Sequence, residues 1–235
     1  MKAQTAVEIN EVLANRRSPR SLDVTAVLSK DDLLAVLEAA RWAPSAFNEQ
    51  PWRFYVGQRG DEVFAQILDS LAPFNQGWAY RSSALILVAG LPTREDGTPN
   101  KGYLYDCGLA VSQMVMETHH RGLVAHQMTG FDAAKAAQNL GVDVSLLPVA
   151  VIAIGKQASA EQLEGTLLER ENAARERKAL EEIVVKGLPN KKRERISHRS
   201  LKTGANNVLA RYSTPLEPPL PILCPIVRST IFTCR

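Results

Sequence analysis

The chain has 235 residues, 45% of them hydrophobic and 23% charged, with a net charge of +3. That composition suits one ordinary globular domain able to bury its own core, or at most two small ones, and the small net charge does not demand a polyanionic partner. Three cysteines without CxxC spacing argue against a disulfide framework or a zinc site, the N-terminus has no apolar core of signal-peptide length, and no stretch is long and apolar enough for a membrane span, so a cytoplasmic protein without a membrane partner is expected.

In chain order, Ala6, Ile9, Val12 and Leu13 recur at helical spacing and predict a helix over residues 3–15. Ser29 followed by Asp31 and Asp32 reads as an N-cap with acids in the first turn, opening a helix that runs to about Arg41. Residues 43–51 hold two prolines and an asparagine and read as a loop; residues 52–57 read as a strand. A helix over 61–71 is followed by an expected loop at 73–77, and the apolar run 84–89 reads as a buried strand. Residues 104–121 predict a long, mostly apolar helix, placed either in the core or at a dimer interface, that ends at Gly122. A strand at 123–128, a helix at 132–140 and a buried strand at 149–154 follow, and residues 161–180 read as a charged helix. Helices between most strands favour an α+β fold, a central mixed or antiparallel sheet flanked by helices.

The composition changes near residue 187. From Lys186 onwards there are ten basic and two acidic residues, so this end carries +8 against −5 for the rest, and it holds six of the 13 prolines. The reading is a domain over residues 1–187 and a basic, proline-containing, poorly ordered extension over 188–235.

Two constellations suggest chemistry. Arg16-Arg17-Ser18-Pro19-Arg20 packs three guanidinium groups and a hydroxyl into five residues, which suits a phosphate-bearing ligand, though a solvated basic turn is the plainer reading of the pentad alone. The segment Ala43-Pro44-Ser45-Ala46-Phe47-Asn48-Glu49-Gln50-Pro51-Trp52 is stiff and rich in amide and hydroxyl groups. It suits the polar edge of a heterocycle or a structural turn with Trp52 in the core. His119 and His120 end a long helix, where the dipole favours cations, and Cys107 reads as a small core hydrophobe. A Ser-His-Asp order, a metal-ligand cluster, a P-loop and Gly-x-Gly-x-x-Gly do not occur.

Arg16–Arg20, followed after about 20 residues by Arg41–Phe54, resembles the opening of the nitroreductase family. Further segments fall in that family's order: Asn75-x-x-Trp78, Tyr105-Asp106-x-Gly108, Gly122-Leu123 leading to Thr129-Gly130-Phe131-Asp132, and Arg175-x-Arg177. The resemblance covers roughly residues 10–186. It implies a nitroreductase-like fold, an intertwined homodimer, and FMN bound at the subunit interface. NADH or NADPH would deliver hydride to flavin N5 in a ping-pong cycle, and a small acceptor (a nitroaromatic, quinone, enal or flavin) would then take the electrons.

By position, Arg16, Arg17, Ser18 and Arg20 resemble the family's phosphate and ring-edge ligands, and Arg175 and Arg177 the second half of the phosphate clamp. Pro44, Ser45, Ala46 and Asn48 resemble the loop that reaches the flavin from the other subunit. Asn75 resembles the ligand of the pyrimidine edge, and Thr129 and Gly130 the segment whose backbone N–H points towards N5. No protein acid or base is expected to be catalytic. Trp42, Phe47, Phe74, Trp78 and Tyr105 read mostly as core packers, with an acceptor pocket wall as the other role. The chain departs from the family after Gly187, where a strand-like arm gives way to the basic extension. Two readings compete: a flavin-binding protein without turnover, and a nucleic-acid-associated protein using the basic tail, although no nucleic-acid partner is expected from the acidic body.

Overall fold

In the computed structural model, residues 2–187 are described. The extension read over 188–235 lies outside them. Residues Met1–Val185 form one contact-defined unit. Its centre is a strand with no polar side chain, β2 (Ala84–Gly90), buried along its whole length. Such a strand needs cover on both faces, and it has it. β1 (Trp52–Gln58) pairs antiparallel on one side, with Trp52 opposite Gly90 and Gln58 opposite Ala84. β4 (Leu147–Gly155) pairs antiparallel on the other, with a register shift between Val88 and Ala89. β3 (Val124–Met128) pairs antiparallel with β4 and completes the order β1-β2-β4-β3. The sheet is antiparallel throughout.

Alternation along β2 divides the core. Ala84, Ile86 and Val88 face a layer with Val36 and Ala40 of α2 (Lys30–Arg41) and Ala110 and Met114 of α5 (Tyr103–His120). Leu85 and Leu87 face the opposite layer. There they meet Phe64 and Ile67 of α3 (Glu62–Ser70), Trp78 of α4 (Pro73–Ala79) and Ala136 of α6 (Ala133–Leu140). Full burial of each large aliphatic side chain contributes roughly 1.5–3 kcal/mol. The helix starts are fixed locally. Ser29 Oγ accepts from Asp32 N at 3.0 Å, Asp61 Oδ1 from Phe64 N at 2.7 Å, and Asp132 Oδ1 from Lys135 N at 2.9 Å.

Several expectations are corrected. The first helix is only α1 (Glu11–Asn15), because Asn10 caps it there and Ala3 N donates to Ala14 O, which turns residues 3–10 back along it. The expected loop at 73–77 is α4: Pro73 takes the first helical position, where its missing N–H costs nothing. The helix read over 161–180 is broken into a 3-10 turn at Ala160–Gln162, α7 (Gly165–Asn172), non-helical chain at 173–179, and α8 (Leu180–Ile183). The long helix α5 buries one stripe, Asp106, Cys107, Ala110, Met114, Val115 and Thr118; Leu104, Tyr105, Gly108 and Ser112 on its other side are exposed. Of the five aromatics read mostly as core packers, only Trp78 is in the core. Trp42, Phe47 and Tyr105 are 72%, 91% and 73% exposed.

Candidate functional site

The Arg16–Arg20 segment follows α1 and is locked to a segment some 150 residues away. Arg17 Nη2 donates to the main-chain oxygens of Glu171 (2.7 Å) and Ala173 (3.4 Å), and Glu171 Oε2 accepts from Arg20 N at 2.8 Å. These bonds end α7 and carry the following residues back over α1, where Arg175 Nη1 donates to Ala14 O at 2.7 Å. Arg16, Arg17, Arg175 and Arg177 are thereby gathered. Burial first, and Arg177 second, hold the Arg16 guanidinium below the usual arginine value. Burial, then Arg16, Arg177 and Arg17, do the same to Arg175. Among the described residues, none of the four makes an ion pair with a carboxylate.

Like charges gathered without counter-charge are unfavourable unless an anion joins them. His119 belongs to the same group: burial, and then Arg16, lower its pKa, and its buried Nε2 has no hydrogen-bond partner. Beside the cluster, Arg16, Ser18, Gln127 and the exposed side of α5 line an open cleft of about 380 Å³. Arg16 Nη1 donates to Ser18 Oγ at 3.2 Å, and Ser18 Oγ donates to Gln127 Oε1 at 3.3 Å.

Asn75 and Gly130 are held together. Asn75 Nδ2 and Ala72 N both donate to Gly130 O, each at 3.0 Å. Thr129 and Gly130 are exposed, and the Gly130 N–H donates to no described residue. A Cβ at Gly130 would lie 2.9 Å from Asn75 Nδ2, so the glycine lets α4 close on this loop. Thr129 and Gly130, with Pro73 and Gln76 of α4 and Lys135 of α6, line a second open cleft of about 520 Å³; Asn75 does not. Arg20 links the two regions, because its guanidinium lies over the Phe74 ring, 5.9 Å from the centroid.

The 43–51 loop stands apart; Pro44, Ser45, Ala46 and Asn48 line neither cleft. Phe47, Asn48 and Gln50 all adopt left-handed backbone (φ 53°, 58° and 45°). That conformation costs non-glycine residues of order 1 kcal/mol each and persists only when the surroundings enforce it. Here Ser45 Oγ accepts from Gln50 N at 3.0 Å, and the buried Asp106 carboxylate accepts from Ala46 N at 3.2 Å. The result is an aromatic, Phe47, projected into solvent.

Three supporting residues escaped the sequence reading: His126, Gln127 and Glu171. All act through main chain or neighbouring side chains, and none carries a local motif; Asp106 falls within Tyr105-Asp106-x-Gly108, but that pattern gives no hint of its bond to Ala46 N. His126 Nδ1–H donates to Pro19 O at 3.0 Å, and its ring packs on Trp78 with centroids 4.6 Å apart. Burial pushes its pKa down to about 4. Cys107 is fully buried, and burial pushes its thiol up to about 11, so it is a core side chain and not a nucleophile.

Comparisons with known proteins agree on one family. Residues 13–77 match the Nitroreductase family. A solved structure described as an oxidoreductase containing FMN is 30% identical, with a TM-score of 0.75 over 79% of this chain and 95% of the other. The CLA biosynthesis enone reductase of Lactiplantibacillus plantarum is 27% identical over 64% of this chain and 86% of its own. The oxygen-insensitive NADPH nitroreductase of Helicobacter acinonychis (strain Sheeba) is 26% identical over 67% and 91%. With a four-stranded antiparallel sheet under two layers of helices, and with both opening motifs inside the matched region, the chain belongs to the nitroreductase family.

Proposed function

We propose that the chain is an NAD(P)H-dependent oxidoreductase that binds FMN and reduces a small oxidised acceptor, working as a homodimer. One observation carries the proposal: Arg16, Arg17, Arg175 and Arg177 converge from the two ends of the domain without a carboxylate partner among the described residues. Such a cluster fits a single terminal phosphate, hence FMN in preference to FAD. The names of the relatives support the rest. One similar structure is described as containing FMN, one relative is an NADPH nitroreductase, and one is an enone reductase.

When bound, FMN supplies the redox chemistry, taking hydride from NADH or NADPH and returning electrons to the acceptor. The residues of the chain bind and orient. Arg16, Arg175 and Arg177, with Ser18 beside them, hold the phosphate. Arg17 fixes the 171–173 main chain, so that Arg175 and Arg177 stay opposite Arg16. Asn75 ties down the Gly130 carbonyl, which leaves the exposed Gly130 N–H free to donate to a ring nitrogen. Thr129 flanks that N–H, and Arg20 would hold the ring's polar edge. Pro44, Ser45, Ala46 and Asn48 serve the site of the partner copy, because they line neither cleft of their own chain. No described side chain is assigned a general acid or base role in this reading.

The visible spectrum of the purified protein tests this reading. Oxidised-flavin bands that bleach on addition of NADH or NADPH are expected, and the released flavin should co-elute with FMN. A colourless protein that takes up no FMN, or stoichiometric FAD, overturns it.

A further inference from the structure

Phe74 sits between two guanidinium groups. Arg170 of α7 lies over its ring at 4.7 Å from the centroid, closer than Arg20 at 5.9 Å. The ring is 40% exposed and Arg170 is exposed. Neither arginine makes an ion pair with a carboxylate among the described residues, and Arg20 Nε is buried without a hydrogen-bond partner. The acid beside them, Glu171, is itself buried and already accepts from Arg20 N.

An isolated surface stack of arginine on phenylalanine stabilises by only about 0.5–1 kcal/mol and needs one cation. Glu171 offsets the charge of Arg20, whereas the exposed Arg170 makes no ion pair among the described residues and is the cation left to meet an anion. Contact with the ring restrains Arg170. A guanidinium braced in this way keeps several N–H donors available, and two of them can grip a phosphate. This pair is separate from the four-arginine cluster: Phe74 neighbours Asn75, which is bonded to Gly130, and neither Phe74 nor Arg170 lines the cleft beside Arg16.

We propose that Arg170, braced on Phe74, is a binding residue for a phosphate of the incoming pyridine dinucleotide. The inference rests on the function proposed above, under which the dinucleotide is the anion brought in at each turnover while the acceptor is a small molecule. Either the 2′-phosphate of NADPH or the pyrophosphate common to both dinucleotides supplies the same chemistry.

The test is calorimetric titration of the full-length protein with NADP⁺ and NAD⁺, for wild type, Arg170→Gln and Arg170→Glu, alongside KM for NADPH and NADH. Arg170→Gln should weaken binding about tenfold, the loss of one charged hydrogen-bonded contact, and Arg170→Glu should weaken it further. Loss confined to NADP⁺ and NADPH identifies the 2′-phosphate; equal loss for both dinucleotides identifies the pyrophosphate. Dissociation constants and KM values within twofold of wild type for both variants overturn the inference, as does a change seen only in KM for the acceptor. The flavin spectrum separates this failure from failure of the underlying proposal. Arg170 variants that keep FMN and bleach normally, with unchanged dinucleotide affinity, sink only the role of Arg170.

Discussion

At the scale of single residues, the arginines near the opening motif differ in what they bond: Arg17 is tied to main chain, whereas Arg16 faces an open cleft. The opening motif reads from sequence as three guanidinium groups in five residues, open to an anion site or to a solvated turn. The division of labour among them was not legible there. Arg17 donates to two main-chain carbonyls over 150 residues away, and only the folded chain supplies those acceptors. Arg16 remains the most direct test of the phosphate site: Arg16→Ala should weaken FMN binding by roughly 1.5–3 kcal/mol, the worth of a hydrogen bond to a charged group. Fluorescence titration with FMN checks this, and an unchanged dissociation constant would return the motif to a surface turn.

His126 gives a second, independent prediction. Its folded pKa of about 4 lies below the 6.5 of an exposed histidine. The unfolded chain therefore binds the extra proton first as pH falls. The stability that His126 contributes in its neutral form is complete above about pH 6.5 and is lost progressively down to about pH 4, to a total of about 3 kcal/mol. Urea denaturation of wild type and His126→Gln at pH 7 and pH 5 should show a shallower pH dependence in the variant. Equal slopes would mean that the ring is not held neutral.

At the scale of elements, legibility followed where the folding signal lies. The helices α2, α3, α5 and α6 and all four strands announce themselves through period, caps and uninterrupted apolar runs. The misread elements are those decided by distant partners. In α4, Pro73, Asn75 and Gly77 look like breakers, yet the helix is held by Trp78, which is fully buried against the sheet. Over 161–180 the composition is helical throughout, but Gly165 adopts φ 51° and the Glu171 and Ala173 carbonyls are taken by Arg17. Both misread elements carry residues assigned to the proposed site, Asn75 in α4 and Arg175 and Arg177 after α7. The contact between α4 and the 129–130 loop can be tested directly. In Gly130→Ala the new Cβ would lie 2.9 Å from Asn75 Nδ2, so the side chain must swing away and give up its bond to Gly130 O. Global stability should fall by only about 1 kcal/mol, the usual net worth of one neutral hydrogen bond. FMN affinity should fall about tenfold, since under the proposed reading Asn75 and the Gly130 N–H both face the ring. Denaturation with and without added FMN measures the two effects separately, and a variant that loses stability but keeps full FMN affinity would remove this loop from the flavin site.

At the scale of the whole molecule, a single copy of the chain leaves unexplained what its 43–51 loop is for. Trp42, Phe47, Leu104 and Tyr105 are all more than half exposed, and the bond from Ala46 N to Asp106 ties the loop to the start of α5, where two of them sit. Trp42 is held out deliberately: Glu38 accepts from its indole N–H at 2.8 Å, and Arg41 lies over its ring at 5.1 Å. Exposed apolar side chains, one of which (Phe47) is held on left-handed backbone, suit the partner contact that the proposed homodimer requires. A second copy of the chain fits, because the loop residues matched to the flavin line no cleft of their own subunit. Substitution at Phe47 distinguishes the possibilities sharply. In a monomer, Phe47→Asp changes a side chain that is 91% exposed, and stability should move by no more than about 0.5 kcal/mol. In a dimer the new carboxylate would be driven into an apolar interface and lose its hydration without a partner, a cost of several kcal/mol. Light scattering of the wild type should therefore show a dimer carrying FMN, and the variant should run as a folded monomer that has lost most of its flavin. A wild type that is monomeric with full FMN occupancy, or a Phe47→Asp variant that stays dimeric and yellow, would mean that each chain completes its site alone and that the loop serves another purpose.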